Sequence, residues 1–124
     1  MKRVLIIEDE FEQLEDTFNY INDIYFNNEL QFKVVTKSQD IVPLSSICNY
    51  DYVFVDIKLA QDTAMDGYGI LKKIEADHLA VKKVIILTAN NRIAEMLPSR
   101  QVTGSYPVVT KPIDIDELIK VFES

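Results

Sequence analysis

The sequence predicts an α/β protein: a doubly wound parallel sheet of five strands flanked by five helices. Three observations predict it. Five apolar runs of strand length, rich in β-branched and aromatic residues, recur along the chain at Val4–Ile7, Phe32–Thr36, Val53–Asp56, Lys83–Thr88 and Tyr106–Thr110. Runs this apolar suit strands covered on both faces, as in parallel sheets. Each run is followed by a stretch that carries helical signals, and right-handed crossovers turn that alternation into one parallel sheet.

The elements follow in order. After Val4–Ile7 the chain reads Glu8-Asp9-Glu10, and then Phe11, Leu14, Phe18, Ile21 and Tyr25 recur at spacings of three and four. That is one face of a helix from Phe11 to about Asn28. Glu10, Glu12, Glu15 and Asp16 load its first turns with negative charge, which the helix dipole favours, and Asn27-Asn28 is the stop. Ser38–Asn49 reads as a weak helix, because Pro43 permits only a start or a kink there. Lys58–Met65 has no regular pattern and reads as a loop. Beyond Asp66-Gly67, Ile70, Leu71 and Ile74 fall at helical spacing. A short helix is expected from Asn90 to Met96 or Leu97, stopped near Pro98. Asp114 is placed to cap a last helix with Ile115, Leu118, Ile119 and Phe122 inward.

The chain of 124 residues suits a single domain, residues 1–124, with no internal linker or repeat. At 48% hydrophobic and 27% charged residues it is globular in composition. The net charge of −7 argues against direct binding of nucleic acid or an anionic membrane through a basic face. One cysteine, Cys48, and a start with only four apolar residues before Glu8 lead to the expectation of a cytoplasmic protein.

The strand ends carry the chemistry. The first run gives way to Glu8 and Asp9, the third ends in Asp56, the fourth in Thr88, and the fifth is followed by Lys111. In a parallel sheet all carboxyl ends share one edge, so these groups converge. Three clustered carboxylates repel one another, and a hard cation bound by oxygens relieves that; Mg²⁺ is the natural occupant because it accepts carboxylates, waters and phosphate oxygens. An ammonium and a hydroxyl beside the metal fit a dianion. The set reads as a phosphoryl-transfer site with Asp56 as nucleophile.

With Leu5-Ile-Ile-Glu-Asp-Glu10, Val53-Phe-Val-Asp56, Met65-Asp-Gly67, Leu87-Thr-Ala89 and Thr110-Lys-Pro112 in this order, the chain resembles the receiver domain of two-component response regulators along essentially its whole length. The resemblance implies a flavodoxin-like fold of the receiver type and a signalling phosphoacceptor rather than an enzyme. It implies that Asp56 takes a phosphoryl group from a sensor histidine kinase or a histidine phosphotransfer protein, and that a downstream effector reads the result. Glu8, Asp9, Asp56 and the backbone carbonyl of Lys58 would hold Mg²⁺, and Thr88 and Lys111 would bind phosphoryl oxygens. Lys58, Asn90 and Tyr106 would be modulators, and the Lys111–Pro112 bond would be cis.

Three departures from the family stand out. The segment between Asp56 and Gly67 is about three residues longer than usual and lacks proline. Val108 occupies the place of the common aromatic switch residue, with Tyr106 the nearest ring. Lys58 puts a long cation two residues after the phosphoacceptor. Other functions on the same architecture fit less well. A flavin or nucleotide binder needs a Gly/Ser/Thr phosphate loop where this chain has Glu8-Asp9-Glu10, and a dehalogenase-like phosphatase wants a carboxylate where Lys58 stands. The alternative reading is a receiver fold that works as a protein-interaction module without phosphorylation. His78 and Cys48 read as bystanders, and Tyr20, Tyr25, Phe26 and Tyr68 as helix packing.

Overall fold

The computed structural model describes residues 2–59, 61–90 and 92–123. Met1, Ala60, Asn91 and Ser124, which fall at the expected chain ends, in the loop and in the fourth helix, lie outside the described residues. Five parallel strands, β1 (Lys2–Ile7), β2 (Leu30–Val35), β3 (Tyr52–Asp56), β4 (Val84–Thr88) and β5 (Val108–Thr110), form one sheet in the order β2-β1-β3-β4-β5. A helical segment follows each strand: α1 (Glu15–Tyr25), a 3-10 stretch at Leu44–Asn49, α2 (Gly67–Ala76), α3 (Ile93–Met96) and α4 (Ile115–Glu123).

Side chains alternate across the strands and so build two cores. Val4 and Ile6, Phe54, Ile85 and Leu87, and Val109 face α1 and α4, where Phe18, Ile21, Leu118 and Phe122 meet them. Leu5 and Ile7, Val53 and Val55, and Val84 and Ile86 face α2, α3 and the 3-10 stretch. The first core is aromatic: Phe18 packs edge-on against Phe54 at 5.3 Å, and Phe122 lies 4.8 Å from Tyr52, whose hydroxyl donates to the Phe122 carbonyl at 3.0 Å. Burying each such ring contributes on the order of 2–3 kcal/mol.

Several boundaries differ from those the sequence suggests, for local reasons. Phe11–Gln13 is a 3-10 turn, and α1 begins only at Glu15. It ends where Asn27 and Asn28 both take positive φ, a conformation asparagine tolerates better than most residues. Ser38–Asn49 is not one helix but two 3-10 pieces, Ser38–Asp40 and Leu44–Asn49, divided by the cis Val42–Pro43 bond. The segment after β4 is helical only from Ile93, because the Asn90 side chain accepts the Arg92 N–H at 2.9 Å and closes a turn instead. Asp114 does cap α4, accepting the Asp116 N–H at 3.1 Å.

Candidate functional site

Strand order reverses where β1 lies between β2 and β3, since α1 carries the chain to one side and later connections carry it to the other. Open α/β sheets gather ligands at the carboxyl end of such a point. Glu8 follows β1 directly, pinned by its N–H to the Val35 carbonyl at 2.9 Å, and Asp56 is the last residue of β3. Gly67 brings α2 hard against that strand end. Its N–H donates to the Ile57 carbonyl at 3.0 Å, and a Cβ there would meet the Asp56 carbonyl oxygen and lie 2.5 Å from Ile57 Cα. Only glycine fits so close an approach of two backbones. Lys111 is aimed from the far side by its N–H bond to the Thr88 carbonyl at 2.8 Å, just before the cis Lys111–Pro112 bond.

The three acidic groups and the lysine meet. Oxygens of Glu8, Asp9 and Asp56 lie within 4.8 Å of one another. The Lys111 ammonium donates to Glu8 Oε1 at 2.7 Å and to Asp56 Oδ2 at 3.1 Å, and the Lys58 N–H donates to Asp56 Oδ1 at 3.2 Å. Glu8 is 1% exposed and Asp56 3%. Burial, together with the adjacent Asp56 carboxylate, outweighs Lys111 and pushes the Glu8 carboxyl up to about 8. Burial alone would lower the Lys111 pKa, but its bond to Glu8 and the charges of Asp56 and Glu8 raise it.

Glu8 Oε2 is buried with no hydrogen-bond partner among the described residues. A buried unpaired carboxylate oxygen is costly, and it belongs to an all-oxygen cluster with more negative than positive charge. These residues therefore fit a hard divalent cation. The cluster opens into a cleft of about 950 Å³ lined by Asp9, Asp56, Lys58, Thr88, Asn90 and Lys111, with Gln13, Thr17 and Tyr68 on its walls. Thr88 is 5% exposed, and its hydroxyl oxygen accepts the Asn90 N–H at 3.0 Å. Lys58 is exposed and stands at the cleft wall.

Tyr106 is not among the residues that line this cleft. It precedes β5 rather than starting it, and its hydroxyl donates to Glu75 Oε2 at 2.5 Å. Glu75 also accepts from Thr103 N–H at 2.9 Å, Thr103 Oγ1 at 3.0 Å and Gly104 N–H at 2.8 Å. Those bonds capture the chain ahead of the strand and hold the ring toward α2.

The sequence profile of the response regulator receiver domain matches residues 4–123. The chain belongs to that family. The receiver domain of the Francisella response regulator 1452 is 25% identical, with a TM-score of 0.70, over 99% of this chain and 95% of that one. The receiver domain of NtrX from Brucella abortus is 24% identical with a TM-score of 0.68, covering 97% of this chain and 94% of that one. A CheY-like receiver protein from Methanospirillum hungatei JF-1 is 20% identical with a TM-score of 0.71, covering 99% and 91%. These last two likenesses speak to the fold alone. No curated protein matches the chain. Among the described residues of this receiver domain, no helix is long and apolar enough to cross a membrane.

Sequence reasoning about the receiver site missed two things. One is that Lys111 pairs with Glu8 even more closely than with Asp56. The other is Tyr68, read as helix packing, which does pack at 8% exposure but also walls the cleft. Its place directly after the glycine that touches β3 was the available signal.

Proposed function

We propose that this receiver domain, taken as one unit over residues 1–124, is a cytoplasmic phosphoacceptor in a two-component pathway. Asp56 receives a phosphoryl group from a phosphohistidine on a sensor kinase or phosphotransfer protein, and an effector protein or domain reads the result. The observation that carries this reading is the convergence of Asp56, Lys111 and the unpaired Glu8 oxygen at one buried point that opens into a cleft.

A carboxylate oxygen of Asp56 attacks phosphorus while the phosphorus–nitrogen bond of the donor breaks. The electron pair stays on the imidazole nitrogen, and an acyl phosphate forms on Asp56. Lys111 holds the Asp56 carboxylate and offsets the charge of the incoming group. Thr88, on the cleft wall, has a hydroxyl proton to give a phosphoryl oxygen. Glu8, Asp9, Asp56 and the Lys58 carbonyl would hold Mg²⁺, which when bound supplies charge neutralisation for the carboxylates and phosphoryl oxygens. The net charge of −7 supports partners that are proteins rather than nucleic acid or membrane.

The test is incubation with a small phosphodonor and Mg²⁺. One acid-stable, base-labile phosphoryl group is expected per chain, lost in Asp56→Asn because an amide is not a competent nucleophile. Equal labelling of the mutant would refute the assignment. A parent chain that takes no label would favour the phosphorylation-independent interaction module.

A further inference from the structure

We propose that the groove between the start of β4 and the approach to β5 binds an extended, acidic segment of a partner protein, which pairs as a strand with the Val84 backbone. This surface lies at the opposite end of the sheet from Asp56 and does not depend on the phosphoacceptor reading.

The backbone groups of β4 alternate between its two neighbours. The Lys83 and Leu87 carbonyls accept the N–H groups of Val53 and Ile57 at 2.8 and 3.1 Å, so the odd-numbered residues bond toward β3. The even-numbered residues bond toward β5: the Ile86 N–H donates to the Pro107 carbonyl at 2.9 Å, and the Thr88 carbonyl accepts the Lys111 N–H at 2.8 Å. Val84, the first residue of the strand, falls in the second set. In the same register its N–H would donate to the Ser105 carbonyl, and its carbonyl would accept an N–H from residue 107. Residue 107 is proline, which has no N–H to give. Among the described residues neither Val84 group has a partner, an unusual state for the backbone of a residue only 8% exposed.

Two features keep β5 from closing the gap. It begins only at Val108, opposite Ile86. Ahead of it, Glu75 on α2 takes the Tyr106 hydroxyl at 2.5 Å and the Thr103 and Gly104 N–H groups at 2.9 and 2.8 Å, which commits that stretch of chain to α2. What remains is a groove of about 350 Å³ with Val84, Ser105, Tyr106 and Pro107 in its lining. The Glu75 bonds fix one wall and the sheet fixes the other, so the groove is formed before anything enters it.

The lining selects the occupant. Val84 calls for one acceptor and one donor side by side; an extended backbone offers both, whereas a helix has spent its own internally. Ile74, Leu79 and Val81 give the groove an apolar side for one side chain of that segment. Lys82 and Lys83 also line it, and among the described residues no carboxylate does. Lys82 reaches Asp51 at 3.1 Å, but the lysine is 73% exposed and such a pair is weak. Two lysines without an acid favour a negatively charged segment, even on a chain whose net charge is −7. Val84 and Thr88 stand at opposite ends of β4, roughly 13 Å apart along a strand, so a partner seated here leaves the Asp56 cleft open.

The experiment titrates the ¹⁵N-labelled full chain with a blocked pentapeptide of alternating glutamate and leucine and follows the amide signals by NMR. The Val84 amide proton should move downfield as it gains an acceptor, and its exchange with solvent should slow about ten-fold at saturation. The same peptide with every backbone nitrogen methylated cannot donate to the Val84 carbonyl and should bind about ten-fold more weakly. Replacing its glutamates by lysines should weaken it by about ten-fold as well. Lys82→Gln, an exposed substitution, should bind the glutamate peptide about three-fold more weakly than the parent. A Val84 amide that stays silent up to about 5 mM peptide, equal binding of the methylated or the lysine peptide, or a Lys82→Gln protein that binds like the parent would overturn the proposal. So would a Val84 amide that moves with protein concentration alone, which would give the groove to a second copy of the chain.

Discussion

Replacing Glu8 by glutamine should stabilise this receiver domain at neutral pH in the absence of divalent cations, and the gain should vanish in acid. In the unfolded chain the Glu8 carboxyl titrates at 4.5; in the folded protein, burial and the neighbouring Asp56 carry it to about 8. Between those values the folded protein keeps a proton that the unfolded chain releases. The contribution of Glu8 to stability is therefore fully present below pH 4.5 and declines as pH rises, until the folded group ionises near 8. The slope is about 1.4 kcal/mol per pH unit, so on the order of 3 kcal/mol is lost between about pH 5 and pH 7.5. Lys111 does not contribute over that range, because its raised pKa lies well above it. Glutamine keeps an oxygen for Lys111 to bond and has no proton to lose. Urea denaturation of both proteins in EDTA at pH 5, 6 and 7.5 reads the difference directly, with other titrations cancelling between them. Curves that run parallel across the three pH values would refute this account of Glu8. Saturating Mg²⁺ should then stabilise the parent more than Glu8→Gln, since only the parent offers the full carboxylate set.

Other substitutions test other parts. Gly67→Ala forces a methyl group into the backbone of Asp56 and Ile57 and should cost about 3 kcal/mol or more in urea denaturation. His78 has φ 52° at the end of α2, where its N–H bonds Glu75 O at 3.3 Å and Leu79 N–H bonds Ile74 O at 3.0 Å, the double closure that glycine serves best. His78→Gly should therefore raise stability by about 0.5–1 kcal/mol and raise the melting temperature by calorimetry. The Glu75 carboxyl is held below its usual range; burial opposes this, but the bonds from Tyr106, Thr103 and Gly104 prevail. Its contribution is present above pH 4.5 and lost as pH falls through the depressed value. Glu75→Gln should cost about 1–2 kcal/mol at pH 7 in urea melts, and the cost should shrink as the pH is lowered below 4.5.

The fold was legible because a parallel sheet buries both faces, which leaves runs such as Val53–Asp56 and Lys83–Thr88 that read as strands without help from the rest of the chain. The meeting of Glu8, Asp9, Asp56 and Lys111 was legible for a related reason. Strands that run the same way end at the same edge, whatever the loops do. What could not be read depended on where loops land. Ser38–Asn49 has residues that permit a helix, yet the Ser38 hydroxyl accepts the Met65 N–H at 2.8 Å and the Ser38 N–H bonds Thr63 Oγ1 at 2.9 Å. The turn at Ser38 is thus set by a loop 25 residues or more away. Tyr106-Pro-Val-Val-Thr110 looks like a strand throughout, but a carboxylate on α2 captures its first residue. No local pattern announces a partner 31 positions away.

The alternation of side chains through the sheet makes it a partition wall. On one side an aromatic layer runs from Phe18 through Phe54 to Phe122; on the other an aliphatic layer runs from Leu5 and Val55 to Leu71 and Ile93. Side chains of the two rooms come together at the wall's open edge, where Asp56 and Lys111 stand on one side and Thr88 on the other. A repacked side chain deep in either room reaches the far one only through the strand backbones between them. An event at the threshold touches both at once, so a single added charge there can be felt on α1 and α4 and also beside α2 and α3.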